Sequence, residues 1–398
     1  MAAKPVKNPP KTPVKEPKPY KPPKETKEIA FERDIPDDFR EAWPDLAEIQ
    51  ARKLLHRVRL INRSHWDHWG PDRNIVLPSS FDRVKMVNSM IAKMDSVDPV
   101  GYSWAIVQNG QLVDAGGIGD ARTASEVDPR PMEADTRMVS ASLAKPVCAV
   151  AMMKLIEDGV VDLFDHAYPL IEAGFPDAHT TMSTIWIRDL LTHRSGFDGP
   201  AKLSAFAGAL EQPLAKLPGT GEKYENWNYR FLAHLMEGVM DIPYFQLVAD
   251  TVFNPMLITS ITRENDADAP CLYYGSTSTS GGGTWNDFTS TQVGAYGWFG
   301  SAIDWAKFMA FFRYDKVLSK ETRLTMLNGS QTYFGFRLWK GQPRGTYYGH
   351  VGDLNGNGCF HGCMMGFPDG IDAVLLSNSD HGASPASVLI EAYHDAFD

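Results

Sequence analysis

Three places in this 398-residue chain combine residue types that chemistry requires. In DTRMVSASLAKPVCAV, from Asp135 to Val150, Ser142 is followed three residues on by Lys145 and then at once by Pro146. Proline lacks an N–H and clashes with the preceding turn, so a helix accommodates it only in its first turn. The helix must therefore start close to Ser142, which places the Ser142 N–H among the unpaired donors of a helix N-terminus, where partial positive charge favours an anion. The same start puts Lys145 one turn on, facing the side of the serine hydroxyl. A serine hydroxyl is a weak nucleophile at neutral pH and needs a base. A lysine serves if burial keeps it neutral, since desolvation lowers its pKa. Ser-x-x-Lys alone is a weak signal, because a helix start with a surface lysine has the same pattern. Here, however, Ser142 is the only serine with a lysine three residues on, and its surroundings are apolar. The second place is LPGTGEKYENWNYRFLAHLMEGV, where Tyr224-Glu225-Asn226 follows a Pro-Gly turn and precedes an amphipathic helix. The third is YYGHVGDLNGNG, where His350-Val351-Gly352 falls within a strand and glycine admits close backbone approach by a ligand.

The elements that must position these residues follow from periodicity. GYSWAIVQNGQLVDAGGIG alternates apolar and polar residues on both sides of Asn109-Gly110, a dipeptide suited to a two-residue hairpin. KPVCAVAMMKLIEDGVVDL has the length and pattern of a largely buried helix that stops near Gly159. Late in the chain GTYYGHVGD, CFHGCMMGFP and DAVLLSNS read as three more strands, and SPASVLIEAYHDAF as a closing helix. Strands thus come from both ends of the sequence with a long, mostly helical insertion between them. The expected fold class is α/β of the non-alternating, α+β type: an antiparallel β-sheet flanked by helices, with a large mainly helical domain.

In their order and type the three clusters resemble the serine β-lactamase-related family, specifically the class C branch with its esterases, D-aminopeptidases and penicillin-binding-protein-like hydrolases. That family carries Ser-x-x-Lys, Tyr-x-Asn, and Lys-Thr-Gly or His-x-Gly in this order. IRDLLTHRSGF, from Ile187 to Phe197, and YGWFGSAIDWAKFM, around Gly300 and Asp304, add to the likeness, which runs from about Val100 to the C-terminus. The resemblance implies a serine β-lactamase/DD-peptidase-like fold and an acyl-enzyme on Ser142, with Lys145 and Tyr224 sharing the proton transfers as one coupled pair. It implies that Asn226 offers its amide to the substrate or to Lys145. It also implies an oxyanion hole made of the N–H groups of Ser142 and Asp353, the residue after Gly352. Asp353 departs from the family pattern, in which a small residue is usual, and its carboxylate must point away from a developing oxyanion. His350 in place of lysine removes a permanent cation and introduces a group expected to titrate near neutrality. The site should therefore lean toward neutral esters or amides, with an ester or lactone the first expectation. Amides or D-amino-acid peptides come second, acyl transfer third and β-lactams last; the non-catalytic alternative is a cleft that binds without turnover.

Composition limits the remaining classes. The net charge of −10 speaks against a general nucleic-acid binder. No apolar run approaches the roughly 18 residues of a membrane span, and the N-terminus lacks a signal peptide's apolar core. Four irregularly spaced cysteines do not make a disulfide framework, so a reducing cytoplasm is the expected home. Residues 1–28 hold eight lysines and three glutamates among many prolines, a +5 tail on a remainder of −15. Such a segment is expected to be an extended arm without a core, able to dock on an SH3-like or acidic partner. Residues 29–98 read as a helical extension, and three roles stay open for the first hundred residues: capping the active site, joining the subunits of a homo-oligomer, or recruiting a partner. Residues 99–398 read as the hydrolase domain, with the α/β part at about 99–150 and 296–398 and the helical insertion at about 151–295. His65, Asp67 and His68 lie in a turn-rich aromatic loop, and Cys359, His361 and Cys363 share one strand face. Neither group has the ligand set of a tight metal site, and no metal or other cofactor is expected. Trp66, Trp69, Trp285 and Trp298 suggest an apolar or aromatic acyl pocket. The glycine-rich stretch Ser276–Trp285 holds no Gly-x-Ser-x-Gly elbow and reads as a loop near the cleft.

Overall fold

The computed structural model describes residues 81–198, 206–268, 270–275, 281–314, 317–328, 333–356 and 358–397. The Lys/Pro-rich tail, most of the helical extension, the histidines of the 65–68 loop, Trp66, Trp69 and residues 276–280 of the glycine-rich loop lie outside them. Asn109 and Gly110 both adopt left-handed backbone, φ 52° and 74°, and join β1 (Gly101–Gln108) to β2 (Gln111–Arg122) in the two-residue turn that their types favour. The short β3 (Arg130–Pro131) extends β2 at the sheet edge. From the other end of the chain come β6 (Arg337–Gln342), β7 (Gly345–Gly356), β8 (Gly358–Gly366) and β9 (Ile371–Ser377). The seven form one antiparallel sheet in the order β3-β2-β1-β9-β8-β7-β6. A separate pair, β4 (Met138–Val139) and β5 (Phe299–Gly300), braces the segment that leads into Ser142.

Period-two alternation gives each face of the sheet its own core. Tyr102, Trp104, Ile106, Cys363, Met365, Ala373 and Leu375 face one side. There they meet Met86, Met90 and Met94 of α1 (Arg83–Asp95) and Leu389 and Tyr393 of the C-terminal helix (Pro385–Asp395). Asp82 caps α1 by accepting from the Val84 and Lys85 N–H groups, and Ser384 with Pro385 starts the C-terminal helix. Ala105, Val107, Phe360, Met364, Val374 and Leu376 face the other side, into the larger core that contains α2 (Ala144–Glu157). The helical part contributes α3 (Ile187–Leu191), α4 (Phe206–Leu210), α5 (Asn226–Met240) and α6 (Tyr244–Val248) to that core. It is completed by α7 (Ala302–Arg313), whose Ser301 and Asp304 form a reciprocal cap, and is flanked by α8 (Lys320–Asn328).

Trp298 is a core residue, 2% exposed and packed edge-on against Phe253, so the acyl pocket expected of it is not formed there. Its backbone carbonyl instead accepts the Ser140 N–H at 2.6 Å. The cysteines are all thiols. Cys363 is buried, and no group of three metal-ligating side chains is assembled among the described residues. Among those residues no helix is long and apolar enough to cross a membrane.

Candidate active site

The chain runs from β4 through a single 3₁₀ turn, Ala141–Leu143, directly into α2, with Pro146 in that helix's first turn. Ser142 therefore stands at the junction, and Ala141 before it is held at φ 45°, a strained value for a residue with a Cβ. Lys145 is completely buried, and three oxygens surround its Nζ. Ser142 Oγ is at 2.9 Å, Asn226 Oδ1 at 2.7 Å and the Ala295 carbonyl at 2.9 Å. Asn226 opens α5, while Ala295 lies on a distant loop, so the amine is gripped by three separate parts of the chain. Desolvation lowers its pKa to about 7, opposed weakly by the nearby Cys148. A neutral amine has two N–H donors and one lone pair. The two carbonyl oxygens can only accept, so they take both donors and leave the lone pair for the Ser142 hydroxyl proton.

Tyr224 sets its ring 4.7 Å from Lys145 Nζ, and its hydroxyl interacts with Ser142. Although 41% of the residue's surface is open to the cleft, the hydroxyl end is desolvated, and that burial pushes the phenol above its ordinary pKa despite the Ser142 interaction. Of the two, Lys145 is thus the group that loses its charge near neutrality and Tyr224 the one that keeps its proton.

His350 lies on β7, 3% exposed, with Nδ1 2.6 Å from the Val351 carbonyl. That oxygen accepts only, so Nδ1 carries the proton and Nε2 is an acceptor. Burial first, and then Lys145, push its pKa down to about 3. The expectation that His350 titrates near neutrality is therefore overturned. A buried imidazole beside another basic group stays neutral throughout the physiological range.

Among the described residues the pairing of β6 with β7 extends only to Gly349, so β7 from His350 onward is paired on one side alone, with β8. Gly352 makes this approach sterically feasible, because a Cβ there would sit 2.6 Å from the Ser140 carbonyl oxygen and 3.3 Å from the Ala141 Cβ. Since position 352 faces the Ser142 turn, alternation turns the Asp353 side chain to the opposite face of the sheet. There it meets His361 Nδ1 at 2.8 Å, directly across the β7–β8 pairing. The structure thus brings Ser142, Lys145, Tyr224, Asn226, His350 and Gly352 together, while the Asp353 carboxylate is directed to His361. Two participants were not read from the sequence. The Ala295 carbonyl has no side-chain signature, and His193, inside the noted IRDLLTHRSGF phrase, packs its ring 4.5 Å from that of Tyr224.

A seven-stranded antiparallel sheet with this serine and lysine at its flank defines a serine-hydrolase scaffold. The model of the Beta-lactamase family matches residues 88–397, and the chain belongs to that family. Among curated relatives, the putative penicillin-binding protein PbpX of Bacillus subtilis is 27% identical over 192 residues, covering 45% of this chain and 46% of its own length. The D-aminopeptidase of Brucella ovis is 25% identical over 321 residues, 72% of this chain and 58% of that protein. The matched regions thus span about half the length of these relatives. Among solved structures, the octameric penicillin-binding protein homologue from Pyrococcus abyssi superposes with a TM-score of 0.63 at 21% identity, covering 78% of this chain and 76% of that one. The D-amino acid amidase from Ochrobactrum anthropi SV3, complexed with L-phenylalanine amide, gives 0.64 at 20% identity, covering 79% and 99%. These likenesses establish the fold.

Proposed function

We propose that this protein hydrolyses a small neutral ester or lactone through an acyl-enzyme on Ser142. The observation that carries the reading is the completely buried Lys145 amine, held by two carbonyl oxygens with its remaining valence toward Ser142 Oγ. Ser142 Oγ attacks the scissile carbonyl while its proton passes to Lys145 Nζ. The resulting ammonium keeps its two carbonyl partners and gains the face of the Tyr224 ring. The N–H groups of Ser142 and Asp353 receive the oxyanion, a contribution of a few kcal/mol for such a pair. Tyr224, still a phenol, hands its proton to the leaving oxygen and recovers one from the ammonium. Deacylation repeats the sequence with water as nucleophile and neutral Lys145 as base.

The preference for a neutral ester rests on His350. With no charge, it offers no ionic grip for the carboxylate that penicillins and cell-wall peptides present. An amide of a D-amino acid is the second reading, favoured by the names of the D-aminopeptidase and D-amino acid amidase relatives. A panel of p-nitrophenyl esters, D-aminoacyl anilides and nitrocefin separates the readings. Esters turned over fastest support the first, anilides the second, and nitrocefin outpacing every ester contradicts both.

A further inference from the structure

His193 is a buried imidazole that the mechanism above does not use. Its backbone sits at φ 55°, and its carbonyl accepts the Lys223 N–H at 2.8 Å. Its ring Nδ1 lies 3.2 Å from the Glu225 N–H and 2.9 Å from Asn228 Nδ2. The Glu225 amide can only donate. Asn228 is oriented because its Oδ1 accepts from Ser195 Oγ at 2.5 Å, which leaves its amide nitrogen to face His193. Both neighbours therefore require Nδ1 to accept, which puts the ring proton on Nε2. The same ring lies against Tyr224, Tyr229 and Tyr333, at 4.5, 5.1 and 5.2 Å between centroids. His193 thus holds the Lys223 N–H through its main-chain carbonyl and the Glu225 N–H through its ring, and the same ring packs against that of Tyr224.

We infer that His193, as the neutral Nε2–H tautomer, is a positioning residue that fixes the Tyr224-Glu225-Asn226 turn, and through it the phenol and the amide that flank Lys145. The inference rests on the catalytic reading of Ser142, Lys145 and Tyr224. Losing the Nδ1 acceptor leaves the half-buried Glu225 N–H and the buried Asn228 amide unpaired, and the turn shifts to find partners. A displacement of about 1 Å at catalytic groups costs on the order of 100-fold in rate. Substrate binding on the other side of the cleft is affected much less, so the loss falls on kcat. Phenylalanine retains a ring at this position but has no acceptor. Asparagine tolerates left-handed backbone and places an oxygen near where Nδ1 lies.

The test compares wild type, His193→Phe, His193→Asn and Ser142→Ala on the best substrate of the panel. His193→Phe is expected to lose about 100-fold in kcat with KM within about threefold, and His193→Asn to recover at least about a tenth of the wild-type kcat. Ser142→Ala is expected to be inactive. An inactive Ser142→Ala beside a fully active His193→Phe, or a His193→Asn no better than His193→Phe, overturns the positioning role alone. An active Ser142→Ala overturns the catalytic reading and this inference with it. The tautomer supplies a readout that does not depend on any variant folding: ¹⁵N NMR of histidine-labelled wild-type protein should show His193 protonated at Nε2 and unprotonated at Nδ1 across neutral pH. A proton on Nδ1 contradicts the inference.

Discussion

Lys145 and Asn226 are joined by a 2.7 Å hydrogen bond across 81 residues of sequence, and the bond determines what the lysine can do. By accepting one amine proton while the Ala295 carbonyl accepts another, Asn226 directs the remaining valence of Nζ to Ser142. The helix that carries Lys145 is thereby tied to the helix that Asn226 begins. The base is accordingly a property of the packed molecule, since neither helix alone would bury or orient the amine.

The pH dependence of kcat/KM follows from that burial. Because the folded pKa of Lys145 is lowered to about 7, its base form dominates above that pH and is lost below it. The rate should rise about tenfold per unit up to an apparent pKa near 7 and then level off, with no descending limb from His350. A flat profile from pH 5 to 8 contradicts the assignment.

Asn226→Asp exchanges a neutral acceptor for a carboxylate at the same distance from Nζ. An adjacent negative charge favours the ammonium, so the lysine pKa rises and the ascending limb moves to higher pH by about 1 to 3 units. At neutral pH the variant should be slower by roughly the same number of powers of ten, with recovery as the pH is raised. A variant that stays slow with an unmoved limb would show that Asn226 acts on the substrate instead.

How much of this was legible in the chain depends on the range of the interaction. Ser142, Lys145 and Pro146 specify one another within a single helical turn, and Asn109-Gly110 specifies its hairpin in two residues, so both could be read locally. The charge state of His350 was misread because it depends on burial beneath neighbours far away in sequence, and the motif alone carries no such information. Trp298 was taken for a pocket residue on aromatic content, which does not distinguish a wall from a core. The strand β6, RLWKGQ, escaped notice because an exposed edge strand needs little apolar alternation. The direction of Asp353 was available from parity, since a strand that turns residue 352 to the nucleophile must turn residue 353 away.

That parity gives the third prediction. Asp353→Ala removes a carboxylate directed to His361 and leaves the main-chain N–H in place, so kcat/KM should stay within about threefold of wild type. A loss of 100-fold or more in steady-state assays would place the carboxylate in the reaction.

A stability prediction concerns a buried ion pair on β9. Asp372, completely buried on β9, receives a forked pair of bonds from Arg313 at 2.7 and 3.0 Å, and the same guanidinium caps the Phe367 and Ile371 carbonyls. Asp372→Ala strands the arginine charge and should cost about 3–5 kcal/mol, read as a lower urea midpoint with an unchanged slope. A change below about 1 kcal/mol would mean that water or another acceptor replaces the carboxylate.

The central claim is that Ser142 carries the acyl group, and intact-protein mass spectrometry after incubation with a fluorophosphonate, followed by peptide mapping, tests it most directly. The account predicts one adduct per chain, located on the peptide containing Ser142, absent from Ser142→Ala and forming more slowly below pH 7. Failure of the folded wild-type protein to form an adduct, or an adduct that persists in Ser142→Ala, would contradict it.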